Sequence, residues 1–278
     1  MLVDAYDSRE ADNIFKFVLE DFFNLKYIKL KEHFLSETEV EELNYIFEKV
    51  CNHYPIQYIF NKAYFYGLEF YVDKNVLIPR PETEELVHLI LSQNNATNIN
   101  VLDIGTGSGC IAIALQKNKP NWNLFAIDVS DDALNIAKNN AGLAQVEVAF
   151  LKQDILQKIE WNNLAIENFN TIKLPNKFDI IVSNPPYIPM LEIEKMSAST
   201  VLHEPHLALF VEDDNPLLFY EKIANFALEN LTSTGILYFE LNEFNAADVC
   251  KILDLKGFKQ IEIIKDMAGK NRMLSAKR

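Results

Sequence analysis

The sequence predicts an α/β fold: a doubly wound, mostly parallel sheet preceded by a small helical domain and a linking β-hairpin. Three observations carry that reading. From Val101 onward, short apolar runs end in a glycine turn, an aspartate, a second aspartate and a proline pair, with helical stretches between the early ones, the order that builds a parallel sheet. Residues 1–62 instead repeat apolar side chains at helical intervals. A hairpin pattern stands between the two. At 278 residues, 49% of them hydrophobic, the chain is long enough for one substantial core and a small satellite.

In the helical domain, Ile14, Phe15, Val18, Leu19, Phe22 and Phe23 form one stripe, and Val40, Leu43, Ile46, Phe47 and Val50 another. Ser36 followed by Glu39 is a capping-box signal for the second helix. The aromatics here read as core. Tyr64 to Val72, with Gly67 inside it, reads as a short hairpin within a linker spanning 63–75. The sheet domain, 76–278, opens with the extended string Val76-Leu77-Ile78-Pro79-Arg80. A helix starts near Pro81, which suits the first turn, while Glu82, Glu84 and Glu85 complement the positive end of the helix dipole.

Val101-Leu102-Asp103-Ile104 is a strand that runs into Gly105-Thr106-Gly107-Ser108-Gly109 and then a buried helix from Cys110 to Leu115. Alternate glycines let backbone approach a ligand closely, and the helix start turns N–H groups toward its polar end. Cys110 stands where a dinucleotide fingerprint needs a different spacing, so G-x-G-x-G suits S-adenosylmethionine better than a pyrophosphate. The next strand, Asn123 to Ile127, ends in Asp128, about 20 residues after the glycines, where an acid bonds ribose hydroxyls in doubly wound sheets. Asp128 also reads as part of a helix cap with Ser130 and Asp131. A third strand, Val146 to Phe150, leads to Asp154 and Ile155, where the Asp154 carboxylate is placed to accept from an adenine amino group.

After the apolar run Ile180-Ile181-Val182 comes Asn184-Pro185-Pro186-Tyr187. The Asn184 side-chain oxygen and the Pro185 carbonyl are two acceptors that can hold both hydrogens of a planar NH2 group. The prolines keep the loop extended and stiff. Tyr187 offers a flat face to a planar amide or base. All four loops fall at the carboxyl edge of one sheet.

At these residues the chain resembles the release-factor glutamine methyltransferases, the PrmC/HemK family, and the resemblance covers nearly the whole chain. It extends to Tyr54-Pro55-Ile56-Gln57-Tyr58-Ile59, Phe65 to Val72, Val76 to Glu84, Glu204-Pro205-His206-Leu207-Ala208-Leu209 and Lys265 to Arg272. It implies a Rossmann-like methyltransferase sheet using S-adenosylmethionine to methylate the side-chain amide of the Gln in the Gly-Gly-Gln motif of peptide chain release factors. The implied cofactor residues are Gly105, Thr106, Gly107, Ser108, Gly109, Asp128, Asp154 and Ile155, with Asn184 shared by cofactor and substrate. Asn184, Pro185 and Tyr187 are the implied catalytic residues, Pro186 a further substrate contact, and Arg80 and Glu82 secondary pocket residues. The N-terminal domain is expected to bind the protein substrate. The chain departs from the family pattern in a long, Asn-rich stretch over 155–177, in Ile155 where an aromatic often stands, with Trp161 as a candidate replacement, and in Asn242 where Gly often follows the Glu240 strand.

A net charge of −14 argues against a nucleic-acid substrate, because such enzymes carry a basic face; the candidate for one is Lys265, Lys270, Arg272, Lys277 and Arg278. The alternatives are methylation of an exocyclic amine on DNA or RNA, and a non-enzymatic S-adenosylmethionine-binding protein. Cys51, Cys110 and Cys250 lack C-x-x-C spacing and read as reduced thiols; no metal site is expected. The acidic start lacks the pattern of a secretory signal and no span suits a bilayer, so the expected location is cytoplasmic.

Overall fold

A computed structural model of the chain describes residues 7–22, 35–159, 161 and 174–278. Phe23, the side chain of Phe22, the first six residues and positions 162–173 of the Asn-rich stretch lie outside the described residues. The chain divides into two compact units, residues 1–62 with 196–203, and residues 63–195 with 204–278.

The first unit is helical. Helix α1 (Ser8–Phe17) continues into a π-helical turn, Val18–Phe22, and α2 spans Glu37–Cys51. The capping box at the start of α2 is complete: the Ser36 N–H donates to Glu39 Oε2 at 2.7 Å, and the Glu39 N–H donates to Ser36 Oγ at 3.3 Å. Val18, Leu43, Ile46 and Val50 form the buried centre, with Ile14, Phe47 and Phe60 packed on it, so the two apolar stripes face one another.

The second unit opens with a hairpin, β1 (Ala63–Phe65) and β2 (Leu68–Phe70), whose turn residues Tyr66 (φ 49°) and Gly67 (φ 75°) are both left-handed, as a tight hairpin requires. The hairpin groups with the sheet, and residues 196–203 group with the helical unit, which no sequence pattern indicates.

Helix α3 (Pro81–Gln93) begins on its proline and precedes β3 (Asn100–Ile104), α4 (Cys110–Asn118), β4 (Asn123–Asp128), α5 (Asp131–Ala144), β5 (Val148–Lys152) and β6 (Phe178–Ser183). Then follow α6 (Leu218–Asn230), β7 (Leu231–Glu240), α7 (Ala246–Leu255), β8 (Lys259–Lys265) and β9 (Asn271–Lys277). The sheet order is β8-β9-β7-β6-β3-β4-β5, with β3 to β7 parallel and β9 antiparallel to both neighbours. The chain lays strands outward from β3 to β5, then returns to the other side of β3 for β6 and β7, making a switch point between β3 and β6.

Strand β5 starts at Val148 and not at the expected Val146. Helix α5 runs to Ala144, Gln145 closes it at φ 56°, and the Val146 N–H is spent on Ala141 O. One core cluster gathers Phe125, Phe178, Tyr220, Phe226, Phe239 and Phe258 under α6 and α7. Trp161 belongs to it, edge-on to Phe178 with centroids 4.9 Å apart and its Nε1 donating to Pro175 O at 3.1 Å. It is a buried core residue and does not line the cavity at the strand ends. Among the described residues, no helix is long and apolar enough to cross a membrane.

Candidate active site

Parallel pairing puts Ile104 level with both Ile127 and Ser183, so the loops after β3, β4 and β6 start at one height. The Ser183 hydroxyl reinforces the seam by donating to Ile104 O at 2.7 Å. Beyond the strand ends, at the switch point, lies a cavity of about 360 Å³. Gly105 to Ser108, Asp128 to Ser130, Gln153 to Leu156 and Asn184 to Pro186 line it, together with Arg80 and Thr83. The structure thus brings together Gly105, Thr106, Gly107, Ser108, Asp128, Asp154, Ile155, Asn184, Pro185, Pro186 and Arg80. Gly109, Tyr187 and Glu82 are not on the lining.

The glycines divide their work. Gly105 (φ 73°) and Gly107 (φ 54°) are left-handed, and a Cβ added to either meets nothing within 4 Å. At Gly109 (φ 84°) an added Cβ lies 2.8 Å from Ile113 Cδ1 and 3.1 Å from Ala137 Cβ, so this glycine allows α4 and α5 to pack. The Gly107 N–H donates to Asp128 Oδ2 at 2.9 Å, and the Ser130 N–H to Asp128 Oδ1 at 3.0 Å. Ser130 itself caps α5, accepting from the Ala133 N–H at 3.2 Å. With the Val129 N–H also on the carboxylate, Asp128 still has acceptor capacity left for a hydroxyl. Burial raises the Asp128 pKa, opposed by the backbone N–H groups of Ser130 and Gly107. Asp154 Oδ1 accepts from the Leu156 N–H at 2.9 Å, which tightens that loop.

Three buried polar residues next to the lining, or on it, are not among the site residues the sequence points to. Asp103, at the end of β3, accepts from the Thr106 hydroxyl at 2.6 Å, and burial pushes its carboxyl up to about 7. Glu240, the last residue of β7, accepts from the Thr83 hydroxyl at 2.6 Å and from the Tyr187 hydroxyl at 3.2 Å. Burial pushes Glu240 up to about 7 as well. Thr83 in turn accepts from Asn184 Nδ2 at 3.2 Å. Tyr187 is therefore turned to Glu240 and packs on the core, where burial raises its phenol pKa. A lone acid ending the apolar run Ile236 to Phe239 is the one sequence signal for Glu240.

A methyltransferase small domain model matches residues 83–213. The release factor glutamine methyltransferase of Flavobacterium psychrophilum is 42% identical over 280 aligned positions, which cover 98% of this chain and 94% of that protein. The one of Streptococcus pneumoniae is 38% identical over 271 positions, 95% of this chain and 91% of that protein. The chain belongs to the release factor glutamine methyltransferase family. A ribosomal protein L11 methylase from Lactobacillus delbrueckii shares the fold at a TM-score of 0.51 with 22% identity, covering 74% of this chain and 83% of that one. In this member of the family, distant strings meet: Arg80 pairs with buried Glu204 at 2.5 Å, and the Ile78 N–H donates to the same carboxylate at 3.2 Å. Three of the five basic C-terminal residues are likewise engaged. Arg272 donates to Asp266 at 3.3 Å and to Leu241 O at 3.2 Å, Lys270 pairs with Glu243 at 2.9 Å, and Arg278 donates to Leu231 O.

Proposed function

We propose that the protein transfers a methyl group from S-adenosylmethionine to the side-chain amide nitrogen of the Gln in the Gly-Gly-Gln motif of peptide chain release factors. The observation that carries this is that Asn184, Pro185 and Pro186 line the same cavity as the glycine loop and Asp128. The residues fit the cofactor: two glycines leave room for close backbone approach, and Asp128 has lone pairs for ribose hydroxyls. When bound, S-adenosylmethionine supplies an electrophilic methyl group on a sulfonium.

The protein's residues do the rest by holding and polarising. An amide nitrogen is a poor nucleophile because its lone pair is delocalised, so alignment matters more than acid or base strength. A fixed near-attack geometry is worth about 7–11 kcal/mol of barrier. Asn184 Oδ1 and the Pro185 carbonyl accept the two amide hydrogens and stabilise positive charge growing on that nitrogen. The proton released from the methylated nitrogen passes to water, since that nitrogen is strongly acidic while it carries the charge. Residues 1–62 are assigned to holding the body of the protein substrate.

The test is to incubate the purified protein with labelled S-adenosylmethionine and, separately, release factor, DNA and RNA, then locate the label by mass spectrometry. Label on the Gly-Gly-Gln glutamine is the expected result. Label on a base, with none on the release factor, would replace this reading with exocyclic-amine methylation.

A further inference from the structure

We propose that Thr83 and Glu240 are positioning residues that decide which end of the Asn184 amide faces the substrate. This rests on the function proposed above. The two ends of an Asn side chain are nearly the same size, and only the oxygen can hold an NH2 group. Some neighbour has to select it. Thr83 Oγ1 lies 2.6 Å from Glu240 Oε2 and 3.2 Å from Asn184 Nδ2. A carboxylate only accepts, so the Thr83 hydroxyl spends its one hydrogen on Glu240 and offers a lone pair to Asn184. Asn184 answers with its NH2 end, and Oδ1 is left for the substrate amide. Among the described residues this is the hydrogen bond made by the Asn184 side chain.

The lock is directional because every member is otherwise committed. Tyr187, following β6, donates to the second oxygen of Glu240 at 3.2 Å, so Glu240 is filled from both sides. Register keeps the parts together. Ser183 pairs with Phe239 across β6 and β7, so Asn184 and Glu240 leave their strands side by side. Thr83, buried in the first turn of α3, bridges the two through its hydroxyl. The charged groups around Glu240 are Arg272 of β9, which favours its ionised form, and Glu82 of α3, which opposes it; the Tyr220 hydroxyl of α6 donates to its backbone oxygen at 3.0 Å. When Glu240 takes up a proton, it can donate to Thr83, whose hydrogen then turns to Asn184 Oδ1 and reverses the amide.

Four measurements test this. Thr83→Val keeps shape but removes the hydroxyl and is expected to lower kcat about tenfold, the size of one neutral hydrogen bond, with S-adenosylmethionine affinity unchanged. Thr83→Ser is expected to restore it. Glu240→Gln is expected to lower kcat similarly and to remove an acid limb near pH 7 from the kcat profile. In an Asn184→Ala background, neither change is expected to slow the enzyme further, because both act through Asn184. Effects that multiply in that background, or parental kcat in a folded Thr83→Val protein that binds S-adenosylmethionine, would overturn the proposal. A fourth readout needs no substrate. In protein labelled with 15N-asparagine, the Asn184 side-chain NH2, assigned by its absence in Asn184→Ala, is expected to exchange slowly with solvent, and fast exchange in the parental protein would overturn the lock. Because this arm is independent of methylation, a wrong substrate assignment leaves its outcome intact.

Discussion

A side chain at Gly107 meets two separate obstacles. The backbone there is left-handed at φ 54°, and the direction of a Cβ is the open side of the loop where a ligand would come close. Gly107→Val is expected to abolish S-adenosylmethionine binding in calorimetry while the protein still unfolds cooperatively near the parental temperature. Undiminished binding would remove this loop from the site. Asn184→Ala is the complementary change. It is expected to lower kcat at least ~100-fold, the scale for losing one preorganised contact, with cofactor affinity little altered. Parental turnover on release factor would reduce Asn184 to a loop residue. Both positions are legible in the sequence because each stands in a dense local pattern with its own chemistry. Thr83 and Glu240 are not. Thr83 stands inside the string Val76 to Glu84, but nothing local gives it more than the chemistry of a residue in a helix first turn, and Glu240 acquires a role only through pairing of β6 with β7, which no local pattern encodes.

At the scale of elements, Gly107 and Gly109, both left-handed, behave differently because one faces space and the other faces a helix. Gly109→Ala would press a methyl to 2.8 Å from Ile113 Cδ1 and 3.1 Å from Ala137 Cβ at φ 84°. A cost of about 1–3 kcal/mol in unfolding free energy is expected, read by chemical denaturation, with the defect in α4 and α5 packing rather than in ligand contact. Equal stability would show that α5 can withdraw freely. Most elements are visible in the sequence as period or punctuation: the capping box of α2, the proline start of α3, the glycine end of β3. The two-residue offset at β5 arises because the helix closure at Gln145 uses a non-glycine left-handed residue, which carries no composition signal. The flat ring of Tyr187 suggests a substrate contact, yet its hydroxyl reaches inward to Glu240; a side chain's direction out of an extended loop is a tertiary property.

For the whole molecule, every residue lining the cavity belongs to the unit formed by 63–195 and 204–278. A chain lacking residues 1–62 is expected to bind S-adenosylmethionine like the intact protein and to methylate release factor with a much higher KM. Undiminished efficiency on intact release factor would remove the helical unit from substrate binding. The second molecular property is pH dependence. Burial raises Asp103 from 3.8 and Glu240 from 4.5, each to about 7, and raises Asp128 as well. Between about 4.5 and 7 the folded chain therefore holds protons that the unfolded chain has lost, so stability falls as pH rises through this window. Asp266 is lowered, chiefly by the Lys270 backbone N–H, and its contribution is lost only below the ordinary aspartate range, outside the window. The melting temperature is expected to be higher at about pH 5.5 than at about pH 8, and Glu240→Gln to narrow the difference; an unchanged difference would show that Glu240 does not titrate there. A practical consequence follows for anyone choosing a buffer by thermal shift. Such a screen rewards the acidic end, where Glu240 carries its proton, so the condition ranked best for storage or crystal growth is the one in which the amide of Asn184 is no longer held one way round.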